Sequence, residues 1–211
     1  EAEGKNESDY TASSWKTFAK ALEEAKAAAA DNTVTQEAAD LARTNLLKAA
    51  NALVKKGEKP EYDNIAPEAK ADGICDYTND LGGLATLNDG YEPTESHDTS
   101  HGAWHNWNEN GVAKNAWVSY TWDKPVEINS MDIYYFSDHG GIVAPKSASF
   151  KYLNDAGEWV VADEAQGLAC VEDEYNTVKL ANIKTKAIRM TMEPEFMNDG
   201  DPAHGVGVIE W

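Results

Sequence analysis

Cysteine, positive charge and long apolar runs are all scarce in this chain of 211 residues. Its two Cys, Cys75 and Cys170, cannot form a four-ligand zinc site by themselves. A chain of this length buries a core without disulfide support in any case. An oxidising compartment would allow the two to join, and a reduced one would leave each as a small buried hydrophobe. Lys and Arg number 18 against 37 Asp and Glu, a net charge of −19. Phosphate binding needs clustered bases, so nucleic acid is excluded as a partner. The same acidity repels anionic polysaccharides. No apolar run approaches the roughly 18 residues that cross a bilayer, and mean hydropathy is −0.59, so membrane insertion is not expected. The first residues, Glu1-Ala2-Glu3-Gly4, are charged and polar and do not read as a secretory leader. That leaves a cytosolic protein or a mature or excised piece of a longer one. No Gly-x-Ser-x-Gly elbow, His-Glu-x-x-His helix or phosphate loop is present. Composition alone leaves a carboxylate pair for glycoside hydrolysis open, although acids this abundant produce accidental pairs.

The charge that is present is unevenly placed. Residues 1–57 hold 9 acids and 8 bases, whereas residues 58–211 hold 28 acids and 10 bases, together with six of the seven Trp and all five His. A domain boundary therefore falls near Lys55-Lys56-Gly57-Glu58-Lys59-Pro60, giving domains of 1–58 and 62–211.

In the first domain Trp15, Phe18, Leu22, Ala25 and Ala29 fall on one stripe of a helix, with Thr11 as its N-cap and Tyr10 stapled to Trp15. After the turn Asp31-Asn32-Thr33, Thr35 caps a second helix carrying Ala39, Ala42, Leu46, Ala49 and Leu53. The spacing predicts an αα-hairpin whose aromatic stripe is core, with no chemistry of its own. The residues Tyr10-Thr11, Ser14-Trp15, Phe18, Ala21-Leu22 and Ala25, then Ala42, Leu46, Ala49 and Ala52-Leu53, resemble the FIVAR module, a helical spacer of large secreted bacterial surface enzymes and adhesins. The family usually has a further helix before this motif, which residues 1–9 are too short and polar to supply.

In the second domain the period changes to two. Val118, Tyr120 and Trp122, then Met131, Ile133 and Tyr135, then Ala148, Phe150 and Tyr152, then Ile188, Met190 and Met192 alternate with polar or outward residues. Asp123-Lys124-Pro125, Asn154-Asp155-Ala156-Gly157 and Ala181-Asn182-Ile183 read as turns between them. Short alternating strands of this kind predict an antiparallel β-sandwich. Trp117, Trp122 and Trp159 lie on strands and read as packing. The order of features, from Asn88-Asp89-Gly90 through Ala116–Trp122, Ile133–Gly141, Pro145–Tyr152 and Gly157-Glu158-Trp159 to Gly205–Trp211, resembles a discoidin-type (F5/8 type C, galactose-binding-like) jelly-roll, as in family 32 carbohydrate-binding modules. The resemblance implies an all-β jelly-roll preceded by the helical hairpin. It also implies a structural calcium ion held by Asp89, the Tyr91 carbonyl, Thr94 and the late acid Glu210; the alternative for Asn88-Asp89-Gly90 is a simple tight turn.

Sugar sites combine flat aromatic surface with polar side chains on firmly held loops. The loop His101–Asn108 has both, with Trp104 as the expected stacking platform and His105 beside it. Trp107 is either a second platform or a cap over the open end of the sandwich. Asp138 and His139, in Ser137–Gly141, and the loop Phe196–His204 follow strand ends, and in the resembled fold such loops gather at one end. The expectation is a monomeric, secreted or cell-surface bacterial module without catalysis. It would target a glycoside hydrolase domain on the same chain to galactose- or arabinose-containing glycans. The rival readings are a protein-interaction or adhesion domain and a small hydrolase.

Overall fold

The computed structural model describes all residues except 1–3, 32, 57–62, 75–82, 109–110, 113–114 and 197–202. Cys75 and most of the expected hinge lie outside the described residues; Cys170 is buried. The chain divides into two units, Glu1–Pro60 and Glu61–Trp211.

The first unit is an antiparallel pair, α1 (Ala12–Ala30) and α2 (Gln36–Asn51). Phe18 and Ala21 from α1 pack against Ala49 and Leu53, with Tyr10, Trp15, Leu22 and Leu46 around them. Tyr10 stacks on Trp15 at 6.0 Å, the staple that the sequence predicts. The Thr35 hydroxyl accepts the Ala38 amide at 3.2 Å and caps α2. Thr11 occupies the N-cap position of α1 without capping through its side chain. Its hydroxyl donates to Ser14 Oγ, which in turn accepts the Val54 amide at 3.1 Å. The start of α1 is thus tied to the chain leaving α2, an arrangement completed by the Thr11 amide on the Val54 carbonyl.

The second unit is built on two long strands. Eleven strands are described: β1 (Lys70–Gly73), β2 (Trp104–His105), β3 (Trp107–Asn108), β4 (Gly111–Val112), β5 (Ala116–Phe136), β6 (Ile142–Val143), β7 (Ser147–Leu153), β8 (Trp159–Val161), β9 (Leu168–Ala169), β10 (Asn176–Glu193) and β11 (Gly205–Glu210). The first part of β5 pairs with β1 and with the end of β10, which continues the layer into β7 and β8. The last part of β5 pairs with β11 and with the beginning of β10, and β11 also pairs with β2. Both long strands therefore belong to two layers.

The sequence places turns at Asp123-Lys124-Pro125 and Ala181-Asn182-Ile183, but both strands run through these points. The turn residues mark bends instead. Register shifts fall between Lys179 and Ile183 and between Thr185 and Ala187, and Asn182 adopts a left-handed φ of 47°. Thr185, buried at the second shift, accepts the Leu153 and Ala187 amides at 3.2 and 3.1 Å, which satisfies polar groups at the interrupted ladder.

Between the layers lie Val118, Tyr120, Ile133, Tyr135, Phe150, Ile188, Met190, Val206 and Val208. The Tyr135 hydroxyl reaches Met190 Sδ at 3.8 Å across that core. On the outer side of the second layer, Tyr134, Phe136, Ile142 and Ile209 form a smaller cluster covered by Tyr91 and Tyr175. Strand β11 is consequently buried on both faces along all six residues.

Candidate functional site

Three loops meet where β11 begins. The Gly205 amide donates to the Gly141 carbonyl at 2.7 Å. Asn106, fully buried, donates its amide to Val206 O and accepts the Val206 amide on Oδ1 at 2.8 Å. The loop before β11 closes at its base through the Ala203 amide on Glu195 O. Asp138 Oδ1 accepts the Gly140 and Ile142 amides, both at 2.8 Å, so this oxygen shapes the turn that carries His139. His139 sits in the left-handed region at φ 57° and stacks on His97, with ring centroids 4.5 Å apart. His97 is itself anchored through Nδ1, 3.1 Å from the Ser137 carbonyl.

Trp107 lies across this turn and is 42% exposed. A Cβ added to Gly141 would stand 3.0 Å from Trp107 Cζ3, tighter than nearly all real contacts of that kind, so glycine lets the indole pack closely against the loop. The site thus combines an indole, a stacked imidazole pair and exposed Asp138 on a turn locked by backbone hydrogen bonds. Phe196, 49% exposed, lies on the third loop.

Trp104 and His105 require correction. Trp104 is fully buried in the main core and its Nε1 donates to the Ile74 carbonyl at 3.1 Å, so it cannot serve as the platform. His105 is also buried, and burial holds its imidazole below the usual histidine range. The reason is that the two form β2, paired with Val208 and Gly207 of β11, where the loop reading put both on an open surface. Strand β2 is too short for alternation to reveal. Trp107, Asp138 and His139 do converge, and His97 joins them from a polar stretch with no local signal. Residues 197–202 of the third loop lie outside the described residues. Of the strand tryptophans read as packing, Trp122 is buried, whereas Trp159 is 38% exposed.

A second corner gathers acids at the other end of β11. The Gly90 amide donates to Glu210 Oε1 at 3.2 Å, which sets the Asp89 loop against the last strand. Glu210 is 5% exposed, and its Oε2 is buried with no hydrogen-bond partner. Burial, reinforced by the charges of Asp89 and Glu92, pushes its carboxyl up to about 8. Asp89 is exposed; one oxygen accepts the Tyr91 amide and the other lies 2.9 Å from His101 Nε2. The His101 ring is stacked on Tyr91 at 3.9 Å. Thr94 is exposed, and no hydrogen bond ties it to either carboxylate among the described residues. A buried, unpartnered carboxylate oxygen next to a second acid suits an oxygen-seeking cation. Among the described residues, no three His, Cys, Asp or Glu side chains form a metal cluster, so further ligands for such a cation would have to be hydroxyls, carbonyls or water.

No family model matches the chain. A stretch of 55 residues, 26% of the chain, is 47% identical to the polysaccharide lyase 8 family protein HylA of Enterococcus faecalis, and spans 4% of that protein's length. Among solved structures, the chain is similar to a candidate alpha-L-fucosidase from Bacteroides thetaiotaomicron, with a TM-score of 0.51 and 15% identity over 84% of this chain and 32% of that one. It is also similar to a structure from the Streptococcus pneumoniae beta-galactosidase BgaA, with a TM-score of 0.50 and 18% identity over 72% of this chain and 93% of that one. The second unit is a jelly-roll β-sandwich. A family 32 carbohydrate-binding module from Streptococcus pneumoniae EndoD matches with a TM-score of 0.48 and 18% identity, over 71% of this chain and 97% of that one.

Proposed function

We propose that the second unit is a non-catalytic glycan-binding module of a secreted, multimodular bacterial carbohydrate-active enzyme, with the helical hairpin as its spacer. The observation that carries this reading is the exposed Trp107 indole laid on the Gly141 turn beside the His97–His139 stack. An indole face takes the C–H face of a pyranose, and the imidazoles and Asp138 offer donors and acceptors to its hydroxyls. The sandwich fold shared with glycoside-hydrolase structures agrees with it. The preferred sugars are galactose- or arabinose-containing glycans. A single shallow platform gives weak binding, about 0.1–1 mM or −5 to −4 kcal/mol, which linkage to other modules amplifies.

At the acidic corner, Glu210 and Asp89, with the Tyr91 carbonyl and Thr94, would hold a calcium ion. Its chemistry there is charge neutralisation and loop pinning, not catalysis.

A glycan array with the whole chain, followed by calorimetric titration of the best ligand, tests the platform. Trp107→Ala should weaken binding at least fivefold with the fold intact. Unchanged affinity in that variant would remove Trp107 from the site, and an array with no binders would remove the function.

A further inference from the structure

The outer face of the first layer carries a feature that neither the loop site nor the acidic corner uses. Arg189 on β10 lies between two indoles: its Cζ is 4.2 Å from the ring of Trp117 on β5 and 4.6 Å from that of Trp159 on β8. Such stacking fixes the guanidinium plane before any ligand arrives and lowers the ordering cost of using it. The side chain is only partly buried, yet its Nε–H is buried with no hydrogen-bond acceptor, and Arg189 forms no ion pair among the described residues.

Its cross-strand neighbours deepen the imbalance. Opposite Arg189 stand Ser119 on β5 and Lys151 on β7, the latter exposed. Like charges directly opposite each other on one face are destabilising unless an anion lies between them. Residues 58–211 hold 28 acids against 10 bases, yet no carboxylate occupies either flanking position. Glu193, further along β10, is engaged by Lys146 at 3.7 Å and by Ser147.

We propose that this face is a second ligand site, and that it takes a glycan whose sugars carry carboxylates. A carboxylate matches the planar fork of Arg189 in two parallel hydrogen bonds, with Lys151 adding charge. The exposed part of Trp159 supplies the surface for a sugar ring. The exposed apolar surface here comes from Trp159 and Val161. Two exposed apolar side chains fall far short of the roughly 20–30 residues a side of a stable protein interface, which favours a small ligand such as a sugar. The overall acidity of the chain would disfavour polyanions at other surfaces, so this face is the place where one can dock.

The test is calorimetric titration of the whole chain at 50 and 200 mM NaCl. The ligands are galacturonate and mannuronate tetramers, a neutral galactose tetramer and a tetraglutamate peptide. At least one uronate tetramer should bind, and more weakly at the higher salt, with the glutamate peptide at least tenfold poorer. Arg189→Lys keeps the charge but loses the fork, and should weaken uronate binding at least tenfold; Trp159→Ala, on an edge strand, should weaken it at least fivefold. Trp107→Ala should leave uronate binding unchanged, which separates this site from the loop platform. The proposal is overturned if neither uronate binds, if Arg189→Lys and Trp159→Ala both bind like the parent, if Trp107→Ala abolishes the binding, or if the peptide binds as well as the sugars.

Discussion

The strongest quantitative consequence concerns Glu210 in calcium-free protein. Its carboxyl is pushed from an ordinary 4.5 to about 8, chiefly by burial. Between those two pH values the native protein keeps a proton that the unfolded chain has released. Stability is therefore fully present below pH 4.5, falls as pH rises through the window, and levels off above about 8. At about 1.4 kcal/mol per pH unit, the loss across the window reaches up to about 5 kcal/mol. For a unit of this size each kcal/mol moves the Tm by roughly 2–4 °C, so at pH 8.5 in EDTA this one group should hold the parent about 10 °C or more below the Glu210→Gln variant. Glu210→Gln removes the titration. It should match the parent near pH 4.5 and melt well above it at pH 8.5. Calcium should restore the parent at pH 8.5, because an ion bound only by the native state stabilises it by mass action, and should do much less for Glu210→Gln. Asp31 and Asp98, both held below the usual carboxylate range by hydrogen bonds, act below pH 4, whereas His105, held below the usual histidine range by burial, adds stability as pH rises toward 6.5; it does so equally in both proteins, so the Glu210 contribution is the difference between them. Thermal melts of both proteins in EDTA and in calcium decide the matter. A Glu210→Gln variant whose Tm follows the same slope as the parent from pH 4.5 to 8.5 in EDTA would refute the reasoning.

Trp104→Ala should cost about 3–5 kcal/mol, by cavity formation and an unpaired Ile74 carbonyl, and chemical denaturation should show it as a lowered midpoint. Asn176 is 4% exposed; its side chain donates to the carbonyls of Val171, Glu174 and Ile133 and accepts the Val171 amide, so Asn176→Ala should cost roughly 2–4 kcal/mol in the same assay. Gly141→Ala must displace the Trp107 ring, and titration should show glycan affinity reduced several-fold with the Tm within about 3 °C of the parent. Thr35→Ala should weaken the helical unit by about 1 kcal/mol, measured by its own melting transition.

The helices were legible because α1 and α2 each repeat an apolar stripe over several turns. The inward residues of β5, β7 and β10 were legible because alternation persists for three or more residues on one face. Alternation breaks at Asp123–Pro125 and Ala181–Ile183, and a break looks alike whether the chain reverses or bends, so two long strands read as four short ones. Trp104 was misplaced for a related reason: a two-residue strand between Gly102 and Asn106 carries no period, and polar neighbours made it look like a loop. The pairing of Gly90 with Glu210 spans 120 positions and followed from the family resemblance, not from any local pattern. The Trp117–Arg189–Trp159 stack joins β5, β10 and β8, and no sequence period links residues on three strands that are not consecutive.

The continuity of β5 and β10 through both layers has a kinetic consequence. Their pairing joins residues 43 to 76 positions apart, from Asn176 with Ile133 to Met192 with Ala116. Closing loops of that length must precede most of the contacts that reward it, so the unit belongs among slow folders. Once the two strands find their register, however, each layer has its template at the same moment. The layers cannot then assemble or come apart one at a time: the rate of a single search sets the rate for the whole sandwich, and amides in both layers should exchange through one shared opening rather than two.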